Sequence, residues 1–300
     1  MEIFIVILQA LLYGVVEGIT EWLPISSTGH LIILDDIFNV KATYPEFWDF
    51  FLVVIQLGAI LAVILRFFKE LNPINPKLDK TQRNDIWKVW LKIIIGVIPV
   101  CFIALILQFT GLDSYLDNTI IISTALIVYG VIFIALETYL KKDQKKFFTC
   151  KDLGLVGKNE AYFKYESTKD MPYMIVFLIG LSQILSLIPG TSRSGVTIVT
   201  ALLLGCSRTC GAEFSFYLSI PVMIGASLVK FISFMGEGVA WDLNMTLYLI
   251  FGLLAAFITS LVIINTLMKF IKKHTFIGFG YYRIVLGVVL IILVLAGVMN

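Results

Sequence analysis

A chain of 300 residues that is 59% hydrophobic and only 15% charged is no water-soluble domain, because a core of that size hides only part of so much apolar surface. A net charge of +2 marks no nucleic-acid partner, and none is expected. The four cysteines, Cys101, Cys150, Cys206 and Cys210, follow no metal-ligand or disulfide spacing and read as small apolar fillers.

In chain order, MEIFIVILQALLYG has neither a basic start nor a small-residue cleavage site, so no removable signal peptide is expected. Region 1–34 is apolar but interrupted by polar, glycine and proline residues. Runs 49–68, 89–110 and 119–140 are each long enough to cross a bilayer. Region 172–206 is interrupted like the first, and runs 214–235, 245–268 and 279–299 complete the crossings. Loops 69–88, 141–171, 206–213 and 269–275 carry five, eight, one and three Lys/Arg; loops 35–48, 111–118 and 236–244 carry one, none and none. Seventeen against one places the first set in the cytoplasm. That alternation requires both interrupted regions to return to the side they entered. The expected fold is therefore all-α: a polytopic membrane protein of six transmembrane helices and two re-entrant helical hairpins.

The hairpins also resemble each other. GVVEGITEWLPISSTG (14–29) lies without gaps over GLSQILSLIPGTSRSG (180–195), with Gly14 on Gly180, Glu17 on Gln183, Ser26 on Ser192 and Gly29 on Gly195. After one residue of slippage, Glu46-Phe47 and Gly58-Ala59 fall on Glu213-Phe214 and Gly225-Ala226. The loop charges run 49–68 inward and 214–235 outward. The chain thus reads as two inverted repeats in one membrane domain, 1–140 and 172–300, joined by a cytoplasmic linker at 141–171. Such repeats bring their broken segments together near the midplane, where binding sites form.

The two tips carry the chemistry. Glu17 and Glu21, spaced i, i+4, share one helix face and need a cation, a proton or water at membrane depth. Ser26 and Ser27 offer hydroxyls beside Thr28, and His30 follows as a proton handler. In PGTSRSGVT, Thr191 or Ser192 can cap a helix whose free N–H groups suit an anion. Arg193, with Ser192, Ser194 and Thr197 around it, matches a phosphate better than a lone carboxylate. Gln183, overlying Glu17, is expected to line the cavity. Gln56, Gln108, Glu137 and Lys230 each read as solitary and receive no role.

EGITEWLPISSTGH and PGTSRSG resemble the two signature motifs of the bacterial undecaprenyl-diphosphatase (bacitracin-resistance) family, with no departure inside either motif. The resemblance covers nearly the whole chain. It implies hydrolysis of a C55 polyprenyl diphosphate to the monophosphate, reused in cell-wall building at the plasma membrane, with the site facing the extracytoplasmic side. It also implies a divalent cation, Mg²⁺ or Ca²⁺, held by Glu17 and Glu21. The family's acidic motif falls on Glu17 and Glu21, its serine-histidine motif on Ser26, Ser27 and His30, and its arginine motif on Ser192, Arg193, Ser194 and Thr197. Glu21, Ser27, His30 and Arg193 are the expected catalytic residues, and Ser26, Thr28, Gln183, Ser192, Ser194 and Thr197 are expected to bind substrate. Ser27 is the favoured nucleophile, with Glu21 or His30 taking its proton; attack by His30 itself or by a water on Glu21 stays open. STGH and SR are similar to fragments of the lipid phosphate phosphatase superfamily, whose histidine mechanism needs a second histidine and an aspartate after the SR pair. SRSGVTIVTALLLG has neither. The competing reading is an inverted-repeat transporter or lipid flippase, which would use the anion grip but leave the Glu/Ser/His set idle.

Overall fold

A computed structural model describes residues 2–111, 118–152 and 162–299, with backbone alone for 148–152. The tips of loop 111–118 and of linker 141–171 lie outside the described residues, as does the Cys150 side chain. Helices dominate: α1 (Glu2–Thr20), α2 (Ser27–Phe38), a turn α3 (Val40–Thr43), α4 (Pro45–Arg66), a turn α5 (Phe68–Leu71), α6 (Lys80–Thr110) and α7 (Thr119–Asp152). There follow α8 (Tyr173–Ser182) with a 3₁₀ segment (Gln183–Leu187), α9 (Arg193–Leu203), α10 (Arg208–Gly236), α11 (Leu243–Phe270) and α12 (Ile277–Leu295). No strand element occurs among the described residues; one isolated bridge joins Tyr165 to Cys206.

This is an all-α, multi-pass membrane protein. Among the described residues seven helices are long and apolar enough to cross, one more than the six runs expected. The addition is α1. Its glycines were read as interruptions, yet the helix runs through them for 19 residues, about 28 Å. Gly14 and Gly18 are contact points instead. A Cβ on Gly14 would lie 2.2 Å from the Gly252 carbonyl oxygen of α11, so α1 and α11 meet backbone to backbone. Gly180 does the same for α8 and α6, where a Cβ would sit 2.0 Å from the Gly96 oxygen. Outward faces stay apolar: Phe4, Phe102, Phe109, Ile232 and Leu295 are all exposed, as lipid contact requires.

Helix ends follow local chemistry rather than hydropathy. α6 begins nine residues ahead of its apolar run, at a capping box in which the Asp79 carboxylate accepts from the Gln82 N–H and the Gln82 side chain accepts from the Asp79 N–H. It ends on Gly111 at φ 68°. Ser207 and Asp242 cap α10 and α11. Two of the polar residues read as solitary have partners. Arg208 donates to both carboxylate oxygens of buried Glu137, at 2.9 and 2.5 Å, and the Phe276 N–H donates to Oε1 as well. Lys230 pairs with Asp49 at 2.6 Å. The first pair joins α7 to the start of α10 and the second joins α10 to α4, so both act between helices.

Candidate active site

Two turns meet inside the molecule. The first, residues 21–26, joins α1 to α2; the second, residues 188–192, joins the 3₁₀ segment to α9. Each ends on a serine in left-handed backbone: Ser26 at φ 73°, ψ 105°, and Ser192 at φ 69°, ψ 117°. A side chain there is strained by about 1–3 kcal/mol, a cost that surrounding structure must hold in place. Each serine occupies the N-cap position of the helix that follows. Ser192 Oγ accepts from the Gly195 N–H, while Ser26 makes no such bond. The next residues, Ser27 and Arg193, open α2 and α9.

From those positions the side chains form one chain of bonds. Ser27 Oγ donates to Glu21 Oε2 at 2.8 Å, and Arg193 Nη2 donates to Glu21 Oε1 at 2.9 Å. Both partners of this ion pair are buried, with side chains 8% and 10% exposed. The other arm of the guanidinium, Nη1, donates to the Ser215 carbonyl at 2.8 Å. The Trp22 ring lies 5.8 Å from Arg193 Cζ. Ser194 Oγ approaches the Glu21 and Leu23 carbonyls at 3.3 and 3.5 Å, tying the start of α9 to the first turn. Thr197 Oγ1 contacts Ser215 Oγ at 2.7 Å and so fixes α9 against α10.

Several buried polar atoms have no hydrogen-bond partner among the described residues: both carboxylate oxygens of Glu17, Trp22 Nε1, Ser26 Oγ, both amide atoms of Gln183 and Arg193 Nε. All belong to the two turns or the helix ends leading into them. A fold leaves such groups unpaired where a ligand or water completes them. Unpaired donors on Trp22, Gln183 and Arg193, added to the first N–H groups of α9, suit a ligand rich in oxygens.

His30 departs from expectation. Its Nδ1 lies 2.7 Å from the Ser26 carbonyl, which can only accept, so Nδ1 carries the proton. Nε2 lies 2.7 Å from the Tyr282 hydroxyl, and a neutral ring accepts there. The ring also stacks parallel to that of Tyr282. With both nitrogens engaged, His30 joins neither Ser27 nor Glu21, and the Ser27 hydroxyl donates to Glu21 instead.

A cavity of about 790 Å³ opens beside this chain, with Ser27, Thr28, Pro189, Asp35, Asp36 and Asp49 among its lining residues. Glu21 and Arg193 do not line it; the chain meets the cavity wall at Ser27. Among the described residues no group of three or more His, Cys, Asp or Glu could hold a metal ion. Two carboxylates one helical turn apart, one of them unpaired, fit an oxygen-seeking cation that takes its remaining ligands from phosphate and water. Residues that the motifs did not single out also belong here. Trp22 and Ser215 contact Arg193, Tyr282 holds His30, and Arg283 enters from behind the turns. An arginine alone inside the apolar run 279–299 was the signal available for the last of these.

The comparisons agree with one another. The family model described as bacitracin resistance protein BacA matches residues 10–289. A protein of Limosilactobacillus fermentum named undecaprenyl-diphosphatase is 45% identical over 286 residues, 95% of this chain and 96% of that one. Proteins of the same name from Enterococcus faecalis and Acetivibrio thermocellus are each 41% identical, covering 94% and 97% of this chain and 95% and 98% of their own. The chain belongs to the bacitracin resistance protein BacA family.

Proposed function

We propose that the protein is a membrane-embedded phosphatase that converts undecaprenyl diphosphate to the monophosphate and inorganic phosphate, returning the lipid carrier to cell-wall synthesis. The observation that carries this reading is the Arg193–Glu21–Ser27 chain, a hydroxyl hydrogen-bonded to a carboxylate that an arginine holds in place. The names of the relatives agree with it. A transporter needs an anion grip, but it has no use for an activated hydroxyl.

The diphosphate enters through the cavity with its isoprenoid tail in lipid, and its terminal phosphoryl group reaches past the cavity wall at Ser27 to the two turns. Arg193, through its unpaired Nε, and the N–H groups opening α9 hold oxygens of the terminal phosphoryl group. Thr28 lines the cavity beside Ser27, and Gln183, Ser192, Ser194 and Ser26, on and around the two turns, complete the polar set that binds the phosphates. Ser27 Oγ attacks the terminal phosphorus as Glu21 accepts its proton. The bond from phosphorus to the bridging oxygen breaks, and polyprenyl monophosphate leaves with the proton from Glu21. Water then attacks the phosphoserine, gives a proton to Glu21, and the proton returns to Ser27 as phosphate departs. Phosphoryl transfer depends chiefly on such positioning and charge stabilisation. Glu17 and Glu21 would hold a Mg²⁺ or Ca²⁺ ion, whose contribution is to offset the repulsion between carboxylates and diphosphate. His30, turned to Tyr282, serves the shape of the turn rather than proton transfer.

The site faces the extracytoplasmic side of the plasma membrane. In support, the cavity is lined by Asp35, Asp36, Asn39, Lys41 and Asn118, which lie in the Lys/Arg-poor segments 35–48 and 111–118. The two halves are inverted repeats. The pairing of Ser26 with Ser192 in one rare backbone conformation, and of Gly14 with Gly180 as close-contact glycines, supports this.

The test is phosphate release from undecaprenyl diphosphate by purified protein in detergent, with and without chelator, on the parent and Ser27→Ala. The expected result is chelator-sensitive release by the parent and loss in the variant by at least about 10²-fold. Substrate binding without phosphate release would return the transport reading.

A further inference from the structure

Behind the two turns lies another cation. Arg283, midway along α12, is fully buried, and among the described residues no carboxylate pairs with it. Its donors go to main-chain carbonyls instead. Nη1 donates to Pro24 O at 3.1 Å, and Nη2 to Gly190 O and Thr191 O at 2.9 and 3.0 Å. Longer approaches reach Ala125 O at 3.5 Å and Leu126 O at 3.4 Å on α7. The face of the Tyr129 ring lies 5.7 Å from Cζ. One side chain therefore ends on the first turn, the second turn and α7 together. Those carbonyls stand in for water around a charge that burial would otherwise make costly.

The carbonyls it takes are informative. Pro24 lies two residues before Ser26, and Gly190 and Thr191 immediately precede Ser192. In both turns the guanidinium grips the chain just upstream of the left-handed serine, and the N–H groups downstream open the helices that carry Ser27 and Arg193. The second turn has little freedom on its other side, since a Cβ on Gly190 would lie 2.4 Å from the Ile122 carbonyl oxygen.

We propose that Arg283 is a positioning residue for the reaction: it fixes the two strained turns at the separation and orientation in which Ser27, Glu21 and Arg193 form one chain. The inference rests on the phosphatase reading above and assigns Arg283 no contact with substrate. The planar fork is what the task requires, because its nitrogens point to different segments at once. A lysine ammonium, a point donor, reaches the carbonyls of one turn and releases the other.

The experiment uses the full chain in detergent with undecaprenyl diphosphate. Arg283→Lys and Arg283→Met are compared with Arg208→Met, which breaks the buried Glu137 pair outside the turns. kcat and KM are measured well below each variant's unfolding midpoint. Both Arg283 variants should lose about 10²-fold in kcat, the effect of a misplacement of about 1 Å, with KM within about threefold of parent. Arg208→Met should lose thermal stability while its kcat stays within about threefold. If Arg283→Met does not accumulate as folded protein, Arg283→Lys decides. Parental kcat in Arg283→Lys would overturn the inference, whatever its stability. So would an equal loss of kcat in Arg208→Met, which would make destabilisation the cause. A parent inactive on the diphosphate sinks the phosphatase reading itself, whereas an active parent with an active Arg283→Lys sinks only the positioning role.

Discussion

Replacing Glu21 by glutamine alters no shape and little volume, yet it removes the carboxylate bonded to both Ser27 and Arg193. The carboxylate now accepts on both oxygens, from Ser27 at 2.8 Å and from Arg193 at 2.9 Å. Glutamine offers one accepting oxygen and one donating nitrogen. With the oxygen toward Arg193, the Ser27 hydroxyl faces a donor and has nothing to take its proton. With the amide flipped, the NH₂ group faces the guanidinium. Neither orientation restores the base, and loss of a positioned base costs about 10²–10⁴ in rate. Stability falls too, because the guanidinium, only 10% exposed, loses its counter-charge. Breaking a buried pair costs about 3–5 kcal/mol; the lower end applies, since the Ser215 carbonyl and the amide oxygen still accept from Arg193. Glu21→Gln should therefore lose about 10³-fold or more in kcat for phosphate release from undecaprenyl diphosphate, with a lowered unfolding midpoint. A folded variant that kept kcat within about tenfold of parent would refute the assignment of Glu21 as base.

Other consequences follow from the same geometry. Arg193→Lys should lose about 10²–10³ in kcat although the charge is kept, because a point ammonium cannot serve Glu21, the Ser215 carbonyl and a phosphoryl oxygen together; steady-state kinetics check this. His30→Gln should cost less than about tenfold in the same assay, since both ring nitrogens are turned to Ser26 and Tyr282. Gly180→Ala should destabilise by about 1–3 kcal/mol or more in thermal unfolding, as its Cβ would meet the Gly96 carbonyl oxygen at 2.0 Å. Gly225→Ala, with nothing within 4 Å of its Cβ, should instead be neutral or stabilising by about 0.5–1 kcal/mol. Chelation should abolish phosphate release by the parent, and Mg²⁺ or Ca²⁺ should restore it.

Much of this was legible in the chain because membrane helices announce themselves by apolar length. Four of the six expected runs fall within long helices, while 49–68 and 279–299 overrun the ends of α4 at Arg66 and α12 at Leu295; the motif residues Glu21, Ser27, Ser194 and Arg193 meet across 172 positions of sequence. Hydropathy reports the lipid-facing stretch and not the helix, so it missed where α6 and α7 extend. The Asp79 capping box starts α6 early, and KKDQKK, whose lysines and glutamine are good helix formers, carries α7 past residue 140. Glycine was misread in α1, where its small size serves contact with α11 rather than a break. Arg283 shows in the sequence only as a lone arginine in an apolar run: its hydrogen bonds all go to main-chain carbonyls, and carbonyls leave no mark in a sequence. The orientation of His30 depends likewise on Tyr282, 252 residues away.

A double-variant cycle on Glu21→Gln and Arg193→Ala tests most directly whether the two turns act as one catalytic unit. If carboxylate and guanidinium work as parts of a single assembly, losing the second after the first adds little, and the double variant's kcat lies within about threefold of the weaker single variant. Losses that multiply, each variant exerting its full effect in the other's presence, would mean that the two turns contribute separately and would contradict the account.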